Sequence, residues 1–408
     1  MGPARTEIFD ALVTQLNRAE VPYCILSGYE GNPGAAASDV DIMFCPQDLH
    51  RIPSLLARAA QCAGARLAQS IQHETSACYF VLARQDGRHI AHLDVDCYGN
   101  YRREGRTWLL AERVLADRRQ HRNFYLPSVE DEFTYYVIKK ALKQSITLCQ
   151  LKKLQHLLAR NPGGCRQRLA AFWPGETAFL LQRAIVELDL EWLQGQLPNL
   201  LAELQRTPQM ESHLFGGWQK LREAGRILRR ISLPTGLSVA IAGGNSAMRS
   251  ELADGLVCNL APAFRRARRI WTADPVLRAL AQPLEVSAAR VRSTLVVRSA
   301  NEDLPVTGVR RALRRLASAF AGLCTRTDVR LVLRQRQSDP GRREPSSVRR
   351  TIYLQTDQSP EQILHGASAA ILNRLALRTE KRLKLQGRIQ QAVENTGDHA
   401  ALGSVGLD

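Results

Sequence analysis

ILSGYEGNPGAAASDVDIMF (Ile25 to Phe44) and, further along, HLDVDCYG (His92 to Gly99) each carry a D-V-D triplet. In an extended strand residues i and i+2 share a face, so Asp39 and Asp41 project together from D-V-D, and Asp94 and Asp96 repeat the arrangement on a later strand. Carboxylates gathered at one sheet edge repel, and a divalent cation relieves them; all-oxygen ligation beside a triphosphate favours Mg²⁺, with Mn²⁺ as its substitute. Such a cation orients phosphates, neutralises charge on the transferred group and its pyrophosphate leaving group, and helps deprotonate an attacking hydroxyl. Ser27 and Gly28 precede a turn, where small residues let backbone N–H groups approach phosphate oxygens. The competing reading is two D-V-D strands facing solvent.

Working outward, Ile8, Phe9, Leu12 and Leu16 form one apolar helical stripe, followed by a strand from Tyr23 to Leu26. The loop YEGNPGAAAS leads to the strand Asp39 to Phe44 and then to a helix through Leu49, Leu55 and Leu56. Strands are expected near Leu67 to Ile71, Cys78 to Ala83 and Ile90 to Tyr98, the last two joined by the turn signal Asp86-Gly87. This predicts a small mixed sheet with helices over residues 1–125.

From Val129 to about Arg230 strand signals give way to helical spacing, with breaks expected near Asn161-Pro162-Gly163-Gly164, Trp173-Pro174-Gly175 and Pro198. An all-helical domain over 126–232 is predicted, in which the amphipathic IVELDLEWLQGQLPNLLAEL packs against its own bundle. A second α/β pattern covers 236–388: strands at Leu237 to Ala242, Leu295 to Arg298, Asp328 to Leu333 and Thr351 to Leu354, then a helix from Pro360 to about Leu385. Residues 389–408, which include ENTGDHAALGSVGLD, lack apolar periodicity and are expected to be disordered.

The order helix, strand, Ser-Gly, D-x-D strand, later acidic strand resembles the nucleotidyltransferase superfamily of the DNA polymerase beta type. The resemblance implies Asp39 and Asp41 as metal ligands, Asp94 or Asp96 as the third acid, and Ser27 with Gly28 at the phosphates of a nucleoside triphosphate; the L-D-V context favours Asp94. The Ser-Gly pair is inverted relative to the family pattern. Further along, LSVAIA runs into G-G-N-S-A-M-R-S and a helix, the setting of a phosphate-binding loop. Against GxxxxGK[ST], Gly243 and Ser250 match, while Met248 replaces the second glycine and Arg249 the lysine. Together with IYLQTDQSPEQILHGASAAILNRLALRTEKRL (Ile352 to Leu383), this resembles a degenerate thymidylate kinase-like domain, with Gly243, Arg249 and Ser250 as remnants of its phosphate site and no ATP turnover. The pairing of the two domains is similar to proteins of bacterial surface-polysaccharide gene clusters, which implies a nucleotide substrate and an unidentified acceptor, a sugar phosphate among the candidates.

Arg102, Arg103 and Arg106 in YRREGR are placed to hold a nucleotide or sugar phosphate, or to form a solvated loop. Lys139, Lys140 and Lys143 reach toward phosphates or make a plain basic helix face. His89 and His92 flank the acid strand without a third ligand and read as structural.

Composition bounds the rest. At 408 residues with 45% apolar content, two or three globular domains are expected on about 100–200 residues each. The net charge of +17 favours anionic partners, but with 6% aromatics and no recognition motif nucleic acid is not the favoured one. Arginine runs such as FRRARR (Phe264 to Arg269) and RRALRR (Arg310 to Arg315) read as solvated helix faces. Nine cysteines without CxxC read as reduced core residues. No apolar run reaches about eighteen residues and no signal-type segment is visible, so no transmembrane segment and a cytoplasmic setting are expected.

Overall fold

The computed structural model describes residues 3–29, 39–74, 76–87, 89–103, 106–206, 225, 235–264, 266–270, 294–299, 329–334, 351–355 and 357–402. Its architecture is mixed α/β. The first sheet has the order β1-β2-β5-β4-β3, with β1 Tyr23–Ser27, β2 Val40–Phe44, β3 Arg66–Glu74, β4 Ala77–Asp86 and β5 His89–Tyr98. Only β2 and β5 run parallel; the other neighbours are antiparallel. The β4–β5 turn falls where Asp86-Gly87 signals it, with Gly87 at φ +56°.

Strand alternation assigns the two faces. Val40, Ile42 and Phe44 join Tyr23, Ile25 and Val95 in a core with Ile8, Phe9, Leu12 and Leu16 of α1 (Pro3–Arg18) and with Leu55 and Leu56 of α2 (Ile52–Cys62). Cys24, Leu26, Met43 and Tyr98 enter a different core, built with the helices that follow. Between them lie α3 (Ala111–Ala116) and two short hairpins, β6 (Tyr101–Arg103) with β7 (Arg106–Leu109) and β8 (Arg119–His121) with β9 (Phe124–Leu126), neither of which the alternation of so few residues reveals.

The helical layer comprises α4 (Val129–Lys143), α5 (Leu148–Arg160), α6 (Pro162–Ala170), α7 (Glu176–Glu187) and α8 (Leu190–Arg206). Ser128 caps α4 by accepting from the Asp131 N–H, and Asn161 caps α6 ahead of Pro162. The break expected at Pro198 does not occur: Pro198 lies inside α8. Leu193, Leu197, Leu200 and Leu204 bury one stripe of that helix, and this burial outweighs the cost of about 3 kcal/mol for an internal proline. Because the sheet supplies Met43 and Tyr98 to the same core, the helices pack as a layer on the sheet.

The second sheet is wholly parallel, ordered β11-β12-β10-β13-β14, from β10 Leu237–Gly243, β11 Arg266–Ile270, β12 Thr294–Ser299, β13 Val329–Arg334 and β14 Thr351–Gln355. Arg266 to Arg269 of FRRARR, expected on a helix, lie in β11 instead; the strand pairs with β12 at the sheet edge, a position where charged residues are common because they discourage further strand pairing. RRALRR lies outside the described residues. The helix Ser246–Leu260 and the long helix Pro360–Leu402 pack on this sheet through Leu252, Leu256, Ile363 and Ile371. The long helix continues through 389–402, where disorder is expected from sequence: no proline follows Pro360, and helix propagation costs little once a packed segment has nucleated it. Residues 403–408 lie outside the described set.

The same helix also covers β3, the edge strand of the first sheet. Thr379 Oγ1 donates to Ala68 O at 2.8 Å and Arg382 Nη2 to Ser70 O at 2.6 Å. The described cysteines are all free thiols; Cys24, Cys97 and Cys165 are buried, while Cys62, Cys149 and Cys258 are exposed and so lie outside the core expected of them. Among the described residues no helix is long and apolar enough to cross a membrane.

Candidate functional site

Asp41 stands opposite Asp96 in the parallel β2–β5 register, one step from the pair Val40 and Val95. Register partners share a face, so both carboxylates lie on the face away from α1 and α2, in line with Met43 and Tyr98. Asp39, just before β2, and Asp94, two residues before Asp96, extend the same row. The four acids are therefore neighbours, as D-V-D and D-V-D predict, with Asp96 beside Asp41 and Asp94 beside Asp39.

Asp41, Asp94 and Asp96 each have protein partners. Asp41 Oδ2 accepts from Ser27 Oγ, from Tyr135 Oη at 2.9 Å and from Lys139 Nζ, which also donates to Ser27 Oγ at 3.1 Å. Tyr135 and Lys139 sit four residues apart on α4 and so reach the sheet from one helix face. Tyr98 Oη donates to Asp96 Oδ2 at 2.5 Å; Arg103 Nη2 lies 3.8 Å from the same oxygen, and His73 Nε2 3.5 Å from Oδ1. Arg103 also bonds Glu74 at 3.2 Å and the Tyr98 hydroxyl at 3.0 Å. Asp94 is hydrogen-bonded by Tyr79 and feels the charge of the buried Arg5.

Crowding shows in the protonation equilibria. Burial, then the charge of Asp39, pushes Asp94 up to about 7; burial, then the charge of Asp41, pushes Asp96 up to about 7. Asp39 is raised by the surrounding protein and by Asp41, against the pull of Lys139, Lys143 and Arg5. With folded values above the unfolded carboxylate range of about 4, the native state holds the extra protons, so this contribution to stability is complete below about pH 4 and is lost as pH rises through about 7. Thermal melts across that window should show Asp94→Asn flattening the decline; an unchanged slope would exclude Asp94 as one of its sources.

Gly28 fixes the start of β2. Its φ is +87°, and a Cβ there would lie 2.3 Å from the Asp39 carbonyl oxygen and 3.0 Å from Val40 Cα. Its missing side chain is thus taken up by the Asp39 backbone, a use the phosphate reading did not include. Gly28→Ala should cost about 3 kcal/mol through left-handed strain and backbone overlap. Gly87→Ala, also at positive φ but with nothing within 4 Å, is the control and should cost about 1 kcal/mol. Equal losses in chemical denaturation would contradict the close approach at Gly28.

The donor chemistry suits a hard divalent cation. The acids and Ser27 offer oxygen alone, and Oδ1 of Asp94 and of Asp96 are buried without a hydrogen bond. The acids are nonetheless engaged by protein cations, and among the described residues no group of three His, Cys, Asp or Glu is arranged to hold a metal ion. No protein-family model, curated protein or solved structure matches the chain.

Of the other sequence candidates, Arg103 belongs to the site, whereas Arg106 bonds the Gln205 carbonyl on α8. His92 Nε2 lies 2.9 Å from the Asn259 carbonyl, a structural contact, and His89 is exposed. Lys139 is at the acids; Lys140 is buried over the Tyr136 ring at 5.4 Å. Gly243 ends β10 and Gly244 turns with φ +62°; Asn245 then caps the helix by accepting from the Met248 N–H at 2.8 Å. The helix begins at Ser246, so Met248, Arg249 and Ser250 lie in its first turns, and Arg249 Nη1 bonds back to Gly244 O at 2.7 Å. The loop is shorter than the GxxxxGK[ST] alignment requires.

Arg5, His73, Tyr79 and Tyr135 are site residues that sequence reading missed. Arg5 alone carried a signal, a cation at helical spacing from Ile8, Phe9 and Leu12 on the apolar stripe of α1.

Proposed function

We propose that the acid face of β2 and β5 carries out nucleotidyl transfer, moving a nucleoside monophosphate from a triphosphate to an unidentified hydroxyl or phosphate acceptor, a sugar phosphate among the candidates. The observation that carries this reading is the convergence of Asp39, Asp41, Asp94 and Asp96 on one face of two adjacent parallel strands, with the buried Ser27 hydroxyl bonded to Asp41. Asp39, Asp41 and one of Asp94 or Asp96 would hold Mg²⁺, which supplies neutralisation of the triphosphate and of the leaving pyrophosphate. The remaining carboxylate, raised toward neutrality, takes the proton of the acceptor. The acceptor oxygen bonds to the α-phosphorus as the bond to the β-phosphate oxygen breaks and pyrophosphate departs. Gly28 and Ser27 keep the first two acids in register. The parallel sheet is read as a degenerate thymidylate kinase-like module that binds or regulates; Gly243, Arg249 and Ser250 mark its nucleotide end. A nucleoside triphosphate substrate sets the reaction in the cytoplasm, and surface-polysaccharide synthesis is the pathway class the paired domains suggest.

A second reading, a non-catalytic nucleotide sensor or scaffold, is favoured by the ion pairs of Asp41 with Lys139 and Asp96 with Arg103. Incubation with each labelled nucleoside triphosphate, Mg²⁺ or Mn²⁺ and candidate sugar phosphates separates the two. Nucleotidyl transfer predicts pyrophosphate release and label transfer with at least one nucleotide, both lost in Asp39→Ala/Asp41→Ala. Nucleotide binding without release under every condition would support the scaffold.

A further inference from the structure

We infer that Lys139 is a built-in competitor for the cation at Asp41, so that a divalent ion enters the acid row only as the Lys139 ammonium withdraws. The inference rests on the nucleotidyl transfer reading for the existence of the metal site; what it adds is the group that gates the site. Three donors converge on Asp41 Oδ2: the Ser27 hydroxyl, the Tyr135 hydroxyl at 2.9 Å and the Lys139 ammonium. The Lys139 ammonium neutralises the Asp41 carboxylate, and a second cation at the same group would be repelled by the first.

The three donors differ in how readily they can leave. Ser27 and Tyr135 are buried, neutral and held by β1 and α4. Lys139 is partly exposed, on a flexible stem, and it also donates to Ser27 Oγ at 3.1 Å. The Tyr135 ring centroid is 5.3 Å from Nζ, a contact that steadies the ammonium without enclosing it. Asp96, directly opposite Asp41, adds a second observation: its Oδ1 is buried and accepts no hydrogen bond, with only the His73 imidazole near it, Nε2 at 3.5 Å. Withdrawal of Lys139 would therefore leave the Asp41 charge unneutralised beside Asp96, the environment a hard cation needs.

The test is Mn²⁺ binding to the full chain, followed by electron paramagnetic resonance of the free ion, for the unmodified protein, Lys139→Gln and Asp41→Asn. Lys139→Gln should bind Mn²⁺ about tenfold tighter or more, because no ammonium has to leave a buried carboxylate, and Asp41→Asn should bind more weakly than either. Labelling of the unmodified protein with an amine-reactive reagent gives an independent readout: Mn²⁺ should raise Lys139 modification several-fold in peptide mass spectra. That readout decides the matter if the variant does not fold. Equal Mn²⁺ affinity in the unmodified protein and Lys139→Gln, with Lys139 labelling unchanged by Mn²⁺, overturns the competition while keeping the acids as a metal site. No Mn²⁺ binding to either protein overturns the metal site and the competition together.

Discussion

Glu132→Ala is expected to lower stability by about 3–5 kcal/mol, the largest effect on folding of any substitution discussed for this chain. Glu132 lies in the first turn of α4 and is fully buried. Its Oε1 accepts from the Tyr29 hydroxyl and lies 3.2 Å from Lys153 Nζ; its Oε2 accepts from Arg119 Nη2 at 2.7 Å. Lys153 Nζ rests 3.8 Å from the Tyr136 ring centroid. Burial pushes the Glu132 carboxyl up and the Lys153 ammonium down to about 7, so each charge is costly alone and the pairing offsets that cost. Alanine removes the anion shared by two cations and the acceptor of a tyrosine hydroxyl in one step. Glu132→Gln keeps the volume and one acceptor and should cost about 1–2 kcal/mol. Urea denaturation measures both; a Glu132→Ala protein within about 1 kcal/mol of the parent would contradict the assigned network. The cluster also bears on the site, since Tyr29 follows Gly28, whose backbone abuts Asp39.

Asp41→Asn should reduce nucleotidyl transfer at least about a thousandfold, because a charged ligand of the metal that neutralises the leaving pyrophosphate is removed at the centre of the row. The amide keeps the shape and an acceptor oxygen for Ser27 and Tyr135, so folding should lose only about 1–2 kcal/mol. A large loss of turnover with a small loss of stability separates a catalytic acid from a structural one. Parallel measurements on Asp94→Asn and Asp96→Asn identify the third acid: one should fall as far as Asp41→Asn. Asp96 lies beside Asp41 in register, and Asp94 beside Asp39, so either completes a row of three. Turnover within about tenfold of the parent in Asp41→Asn would contradict its assigned role.

Local rules made much of the fold legible. Period-two alternation placed Asp41 and Met43 on one face and Val40, Ile42 and Phe44 on the other, and Asp86-Gly87 marked the β4–β5 turn. Where tertiary packing outweighs local preference, sequence reading failed. Pro198 stays helical because its neighbours Leu197 and Leu200 are buried, and Arg266 to Arg269 are extended because β12 supplies their backbone partners. The partners of the acids were the least legible part. Tyr135 and Lys139 are 94 and 98 positions from Asp41, and no periodicity connects residues so far apart in the chain. The alternation could show that the carboxylates converge, but only the docking of α4 on the sheet reveals that Lys139 already neutralises one of them.

The row of acids on β2 and β5 is proposed as a metal-dependent nucleotidyl transfer site. Its most direct test is anomalous diffraction from crystals of the full chain grown with Mn²⁺ and a non-hydrolysable nucleoside triphosphate. The account predicts an Mn²⁺ peak between Asp39, Asp41 and one of Asp94 or Asp96, with triphosphate oxygens completing the coordination and Lys139 withdrawn from Asp41. A site free of anomalous signal, with Lys139 still on Asp41 and Arg103 still on Asp96 at saturating Mn²⁺ and nucleotide, would contradict it.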